Sequence, residues 1–316
     1  MGLAIVLSLM ASLCTATASV CQRLGARNLE RSTAKAGGFD LWLVFRLARQ
    51  PAWLLGFACM LAGFVFQITA LHFGPLALVQ PILAVELLFV FGYLALLPGP
   101  REASASGRDW LAAAAMSVGI GIFLRAAAPT GGRPSAPAGL WWLAAVVTTA
   151  AVAIAIALSR AGAPTVGPGP GPGPGADVEA SSSRRAACLG IATGIAWGFV
   201  AAIIKELSSR MTNGPSAIFS NWAVYALMIA GAAAMLLTSH AMAAGPLAAS
   251  QPGFTVLDPV TATLLGVFMF GEHVATTPRA LTVQVLGLVL LVAGVRALTR
   301  SKLITGPPGH QPSRAL

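Results

Sequence analysis

Charged side chains make up only 9% of this 316-residue chain, and tyrosine (2), histidine (4) and cysteine (4) are scarce as well. A soluble domain carries roughly a quarter charged residues, so a water-facing globular surface is excluded. The four cysteines, Cys14, Cys21, Cys59 and Cys188, lie in apolar runs without the spacing of a zinc site or a disulfide framework. No phosphate-binding loop, nucleophile–base constellation or metal-ligand cluster can be assembled from the motifs. Neither an enzyme nor a cofactor is therefore expected, and any work the chain does must draw on a gradient and not on ATP. The net charge of +10 does not point to nucleic acid, because the basic residues fall between apolar runs and not on one soluble face. The N-terminus lacks a basic region ahead of its first apolar run, so that run reads as a retained span. Val6 stands where a myristoylation signal needs Ser or Thr.

What is present in abundance is apolar: 56% of residues are hydrophobic, with mean hydropathy +0.78. Runs of about 20 apolar residues cross a bilayer as helices. They predict an all-α integral membrane protein of nine transmembrane helices, at about 3–22, 52–72, 75–97, 109–127, 140–159, 187–207, 220–243, 246–270 and 279–299. Residues 1–159 form a first unit of five helices and 187–300 a second of four. Between them, 160–186 reads as a cytoplasmic linker, Gly-Pro alternating from Gly167 to Gly175 and then serine-rich, and 301–316 reads as a disordered tail. Residues 36–50, with Trp42 and Phe45 beside Arg46 and Arg49, read as a short amphipathic helix on an anionic lipid surface. Counting loop arginine and lysine fixes the expected orientation: with the N-terminus outside, fifteen of the twenty positive charges fall in the cytoplasm. The location expected is the plasma membrane. An arginine-over-lysine bias and abundant alanine suit a GC-rich bacterium.

One phrase occurs twice. Gly74-Pro75-Leu76-Ala77-Leu78-Val79-Gln80-Pro81 returns as Gly245-Pro246-Leu247-Ala248-Ala249-Ser250-Gln251-Pro252, an offset of 171 that also relates Arg108 to Arg279 and Arg125 to Arg296. The repeat pairs the second span with the seventh, the third with the eighth and the fourth with the ninth. Five helices separate the members of each pair, and five is odd, so the copies should cross the membrane in opposite directions. Inverted repeats of this kind underlie alternating access in secondary transporters.

The costly residues sit near mid-span. A carboxylate at bilayer centre is penalised by about 2.5–3.5 kcal/mol on insertion scales and usually faces an interior cavity. Glu86 and Asp258 lie about halfway along the third and eighth spans, at nearly equivalent places in the two copies. They are the candidates for binding a cation, a proton or a cationic part of a substrate. Gln251, Thr255, Asp258 and Thr261, spaced 4, 3 and 3, share one face of the eighth span. Gln67 and Gln80 complete the proposed path. On an ideal helix Gln80 stands roughly opposite Glu86, although Pro81 intervenes. His72, Asn221 and Tyr225 read as interfacial, Lys205-Glu206 as an exposed ion pair, Glu272-His273 as a solvated helix end, and the glycines around Gly119 and from Gly190 to Gly198 as helix contacts.

Two stretches, Trp53 to Gly63 (WLLGFACMLAG) and Ala70 to Pro81 (ALHFGPLALVQP), resemble the NIPA-like branch of the drug/metabolite transporter superfamily. Leu257-Asp258-Pro259-Val260, followed by Leu264-Leu265-Gly266 and Gly271-Glu272, resembles the ending shared by its EamA-like members. The resemblance implies helical inverted repeats around a central cavity and movement of a small solute; for the NIPA branch it implies magnesium. The chain departs from that branch at Phe64, where the family has an acid, at Gln67, where it has Asn, and at Gln80, where it has Thr. Mg²⁺ sheds its water reluctantly and wants oxygen ligands, so an organic solute or a lipophilic cation is as well suited. The expectation is a secondary transporter (permease) moving a small molecule or cation by alternating access, with proton coupling as an option. The alternatives are a divalent-cation transporter of NIPA type, a membrane-embedded lipid-modifying enzyme, or a non-transporting partner subunit. The partners expected are the small-molecule or cation substrate and the lipid bilayer, with no nucleic acid.

Overall fold

The computed structural model describes residues 1–32, 50–96, 106–161, 174–210, 214, 216, 219–245 and 247–301. The expected surface helix over 36–50, the Gly-Pro stretch of the linker up to residue 173 and the tail beyond 301 lie outside the described residues.

The chain folds into helices: α1 (Gly2–Ser32), α2 (Pro51–Phe73), α3 (Leu76–Leu83), α4 (Glu86–Leu96), α5 (Gly107–Ala127), α6 (Ala138–Arg160), α7 (Pro174–Ser208), α8 (Trp222–Ala244), α9 (Leu247–Phe270) and α10 (Pro278–Leu298). Among the described residues nine stretches are long and apolar enough to cross a membrane, α3 and α4 together forming the third. The protein is a multi-pass all-α membrane protein. Pro51 and Pro278 open α2 and α10, where a missing N–H costs nothing. At α5, Ser106 and Asp109 form a reciprocal capping box. The sixth span starts earlier than its apolar run suggests. Its helix reaches back to Pro174, and its membrane-length stretch begins at Ser181.

Glycine sets the closest helix contacts. A Cβ at Gly119 would stand 2.6 Å from the Leu291 backbone nitrogen, and one at Gly294 2.7 Å from the Ala112 carbonyl, so α5 and α10 touch backbone to backbone. On the other side, α7 lies along α9 through Gly190, Gly194 and Gly198. Without water to drive association, such close approach is what holds membrane helices together. α1 packs on α2 and on α3–α4, α7 on α6, α8 and α9, and α3 meets α9 at the centre. An aromatic cluster of Trp141, Phe199, Trp222 and Phe270 fills one end of the bundle. At that end a two-residue bridge pairs Thr130 with His273 and Gly131 with Glu272, joining β1 (Thr130–Gly131) to β2 (Glu272–His273).

Candidate functional site: a central cavity locked at one end

The third span is broken in the middle. Pro81 has no N–H to give the Ala77 carbonyl, and two residues later the helix loosens into a turn at Ala84 and Val85. Glu86 is the first residue of the new helix α4, at the positive end of its dipole. The break decides the geometry. Gln80 and Glu86, which a continuous helix would set on opposite sides, both line one cavity.

That cavity measures about 610 Å³ and lies between α1, α2, α3–α4, α7, α8 and α9. It receives six of the seven residues expected to form a path: Gln67, Gln80, Glu86, Gln251, Thr255 and Asp258. Thr261 is not among its walls. At about 100° per residue, Thr261 lies roughly 80° around α9 from Gln251, and its Cβ is 2.6 Å from where a Cβ on Gly198 would be. Thr261 is a contact between α7 and α9. Phe64, Trp197, Met228, Met235 and Phe254 supply apolar wall, and the Trp197 indole N–H donates to Thr238 Oγ1 at 3.0 Å.

The two carboxylates differ in their surroundings. Ser19 donates to Glu86 Oε1 at 3.2 Å. Among the described residues, buried Asp258 Oδ1 accepts no hydrogen bond, and the buried Gln80 Nε2 amide group finds no acceptor. Sequence reasoning overlooked the hydroxyls of α1. Ser8, Ser12, Thr15 and Ser19 are spaced 4, 3 and 4, a helical face that was legible. Ser12 donates to the Ile82 carbonyl at 3.2 Å and so bonds α1 to the broken segment.

One end of the bundle is locked. Lys205 and Glu206, expected as an exposed pair, are 7% and 2% exposed and do not serve each other. Lys205 Nζ donates to the Leu71 and Gly74 carbonyls at 2.6 and 2.7 Å, closing the C-terminal end of α2. Glu206 accepts the Ala136 N–H at 2.9 Å and the Ser135 hydroxyl, capping the approach to α6. Glu272, expected to be solvated, is 3% exposed. It accepts the N–H groups of Leu76 and of Ala77 (2.9 Å), the orphan donors at the start of α3. Gly132, at φ 102°, and Gly266 leave room for it, since a Cβ on Gly132 would meet Glu272 Cγ at 2.8 Å. Burial pushes the Glu272 carboxyl above its ordinary range, against the pull of the two N–H groups and nearby Lys205. His72 Nδ1 joins the lock by donating to the Ser208 carbonyl at 3.0 Å. The expectation failed because loop position was read as exposure; the need of a proline-preceded helix start for acceptors was the missing signal. Asn221 caps α8 by accepting the Ala223 N–H, and Tyr225 donates to the Phe219 carbonyl.

No family model matches the chain, and no solved structure matches it. It is similar to an uncharacterized protein of Corynebacterium glutamicum, 25% identical over 280 residues that cover 88% of this chain and 89% of that one.

Proposed function

We propose that this protein is a secondary transporter of the plasma membrane that moves a small organic solute or cation by alternating access between two inverted repeats. The observation that carries the reading is the central cavity, which brings two acidic side chains and three glutamines to the middle of the helices while one end of the bundle is hydrogen-bonded shut. A cavity closed on one side is what alternating access requires of one of its states. The helix contacts support the repeat. The first span packs on the second and third, and the sixth packs on the seventh and eighth; the fourth and ninth pack on each other, as do the third and eighth. A pseudo-two-fold axis relating spans five apart exchanges or preserves every one of these contacts. The loop charges support an N-out, C-in orientation, which makes the locked end the outer face.

In this reading Glu86, hydrogen-bonded and at a helix break, carries the coupling proton or cation, and Asp258 meets the solute. Phe64 on the cavity wall removes an oxygen ligand where magnesium transport would want one, so an organic solute suits the walls better than a hydrated divalent ion.

The test is flux. Purified protein in liposomes should accumulate a labelled solute when a proton or sodium gradient is imposed, with Mg²⁺, amines, amino acids and nucleosides as arms. Glu86→Gln should abolish gradient-driven accumulation while sparing exchange, and Asp258→Asn should abolish both. Gradient-driven flux that survives Glu86→Gln would remove that residue from coupling, and flux of Mg²⁺ alone would restore the magnesium reading.

A further inference from the structure

We infer that the cavity takes a small monocationic amine that also carries an uncharged hydrogen-bond acceptor on an apolar body; this rests on the transporter reading, whose solute it specifies. Two residues on the cavity wall each keep a buried side-chain atom without a hydrogen-bond partner among the described residues, Gln80 Nε2 and Asp258 Oδ1. Gln80 as a whole is 3% exposed. Buried polar groups are almost always satisfied, and these two ask for opposite partners. An amide N–H needs an acceptor, and a carboxylate oxygen needs a donor, best a cationic N–H. The other two buried atoms in this condition, Trp141 Nε1 and Thr263 Oγ1, lie off the cavity.

The competing classes fail either on one of these atoms or on charge. A metal ion would face the N–H of Gln80, which repels it. A quaternary or phosphonium cation has no N–H for Asp258 and no acceptor for Gln80. A zwitterionic amino acid brings a carboxylate, yet among the described residues no Lys, Arg or His lines the cavity, and Lys205 has two of its N–H groups committed to Leu71 and Gly74. A neutral carbonyl, ether or hydroxyl satisfies Gln80 without that cost. Trp197 and Phe254 offer faces for a cation and for an apolar body, and the volume lies in the range of pockets for drug-sized molecules.

Phenylalaninamide has the amine, the neutral acceptor and the apolar ring. Phenethylamine lacks the acceptor, phenylalanine has the carboxylate, tetraphenylphosphonium lacks the donor, and MgCl₂ lacks everything but charge. Binding of each to the full-length protein in detergent should rank phenylalaninamide first. Gln80→Leu should weaken phenylalaninamide about tenfold, the effect of about 1.4 kcal/mol, and leave phenethylamine unchanged. Asp258→Asn should weaken both by tenfold or more. Gln80→Glu, whose side chain only accepts when ionised, should also lose the preference for phenylalaninamide, and it provides the comparison if Gln80→Leu does not fold. Binding of phenylalanine, tetraphenylphosphonium or Mg²⁺ as tight as phenylalaninamide would overturn the inference. So would equal losses for both amines in the Gln80 variants, or no binding of phenylalaninamide. Flux separates the two levels: gradient-driven movement of a different class leaves the transporter standing without this solute, and phenylalaninamide binding without flux does the reverse.

Discussion

Replacing Glu272 should unlock the closed end of the bundle and cost the protein several kilocalories. Its carboxylate accepts the N–H groups of Leu76 and Ala77, two donors that are fully buried and cannot find water when it is gone. Leaving a buried donor unsatisfied costs about 1–3 kcal/mol. Two of them, with partial relaxation, give about 4 kcal/mol for Glu272→Ala. Glu272→Gln keeps one acceptor oxygen but turns an NH₂ group toward the second donor, so about 2 kcal/mol is expected. For a chain of this size each kcal/mol moves Tm by about 2 °C, so the expected losses are about 8 and 4 °C, read by thermal unfolding in detergent. A change below about 1 °C in both variants would refute the claim that this glutamate holds the start of α3. A second signature is the pH dependence. Burial raises the carboxyl above its ordinary 4.5, so the folded state binds this proton more tightly than the unfolded chain. The group's contribution is then full below pH 4.5 and declines as pH rises through the raised value. The stability gap between the parent and Glu272→Gln should therefore narrow as pH rises across that window. A gap that widened would reverse the assigned direction.

Other expectations follow from the same geometry. Glu206→Ala should lower Tm by about 4 °C, because the Ala136 N–H and Ser135 hydroxyl lose their acceptor at a site 2% exposed. Gly194→Val should be worse than Gly121→Val: a Cβ at Gly194 meets the Phe254 carbonyl at 2.8 Å, whereas one at Gly121 meets nothing within 4 Å. A difference of about 2 kcal/mol is expected from forced separation of α7 and α9, measured by thermal unfolding. Thiol labelling of intact cells, in a cysteine-free background, should modify Gly139→Cys from outside and Ser106→Cys only after permeabilisation. The opposite pattern would invert the proposed orientation.

Most of the helical plan was legible because the bilayer imposes it. Twenty apolar residues between polar breaks have few alternatives to a spanning helix, and the nine stretches read from the chain match the nine found among the described residues. The cavity walls were partly legible for a related reason. Gln251, Thr255 and Asp258 follow a helical period on an unbroken helix, so spacing alone set them on one wall. Period failed at two places, each with a physical cause. Thr261 belongs to the same polar stripe, but a stripe of 4, 3 and 3 drifts around the helix, and by the fourth member it has turned from the cavity to Gly198. On the third span the period predicted that Gln80 and Glu86 would diverge; they converge because the loss of one N–H at Pro81 is followed by a break at Ala84–Val85. The lock at one end of the bundle was misread altogether. Lys205, Glu206 and Glu272 look like solvated charges when helix ends are equated with water. Each instead satisfies the unpaired backbone groups at a helix end or its approach, which burial would otherwise leave at full cost. A charge near the end of a membrane helix therefore has to be weighed against the neighbouring helix that begins or ends at the same depth. Here that comparison turns three apparent surface residues into the closure on which an alternating-access reading depends.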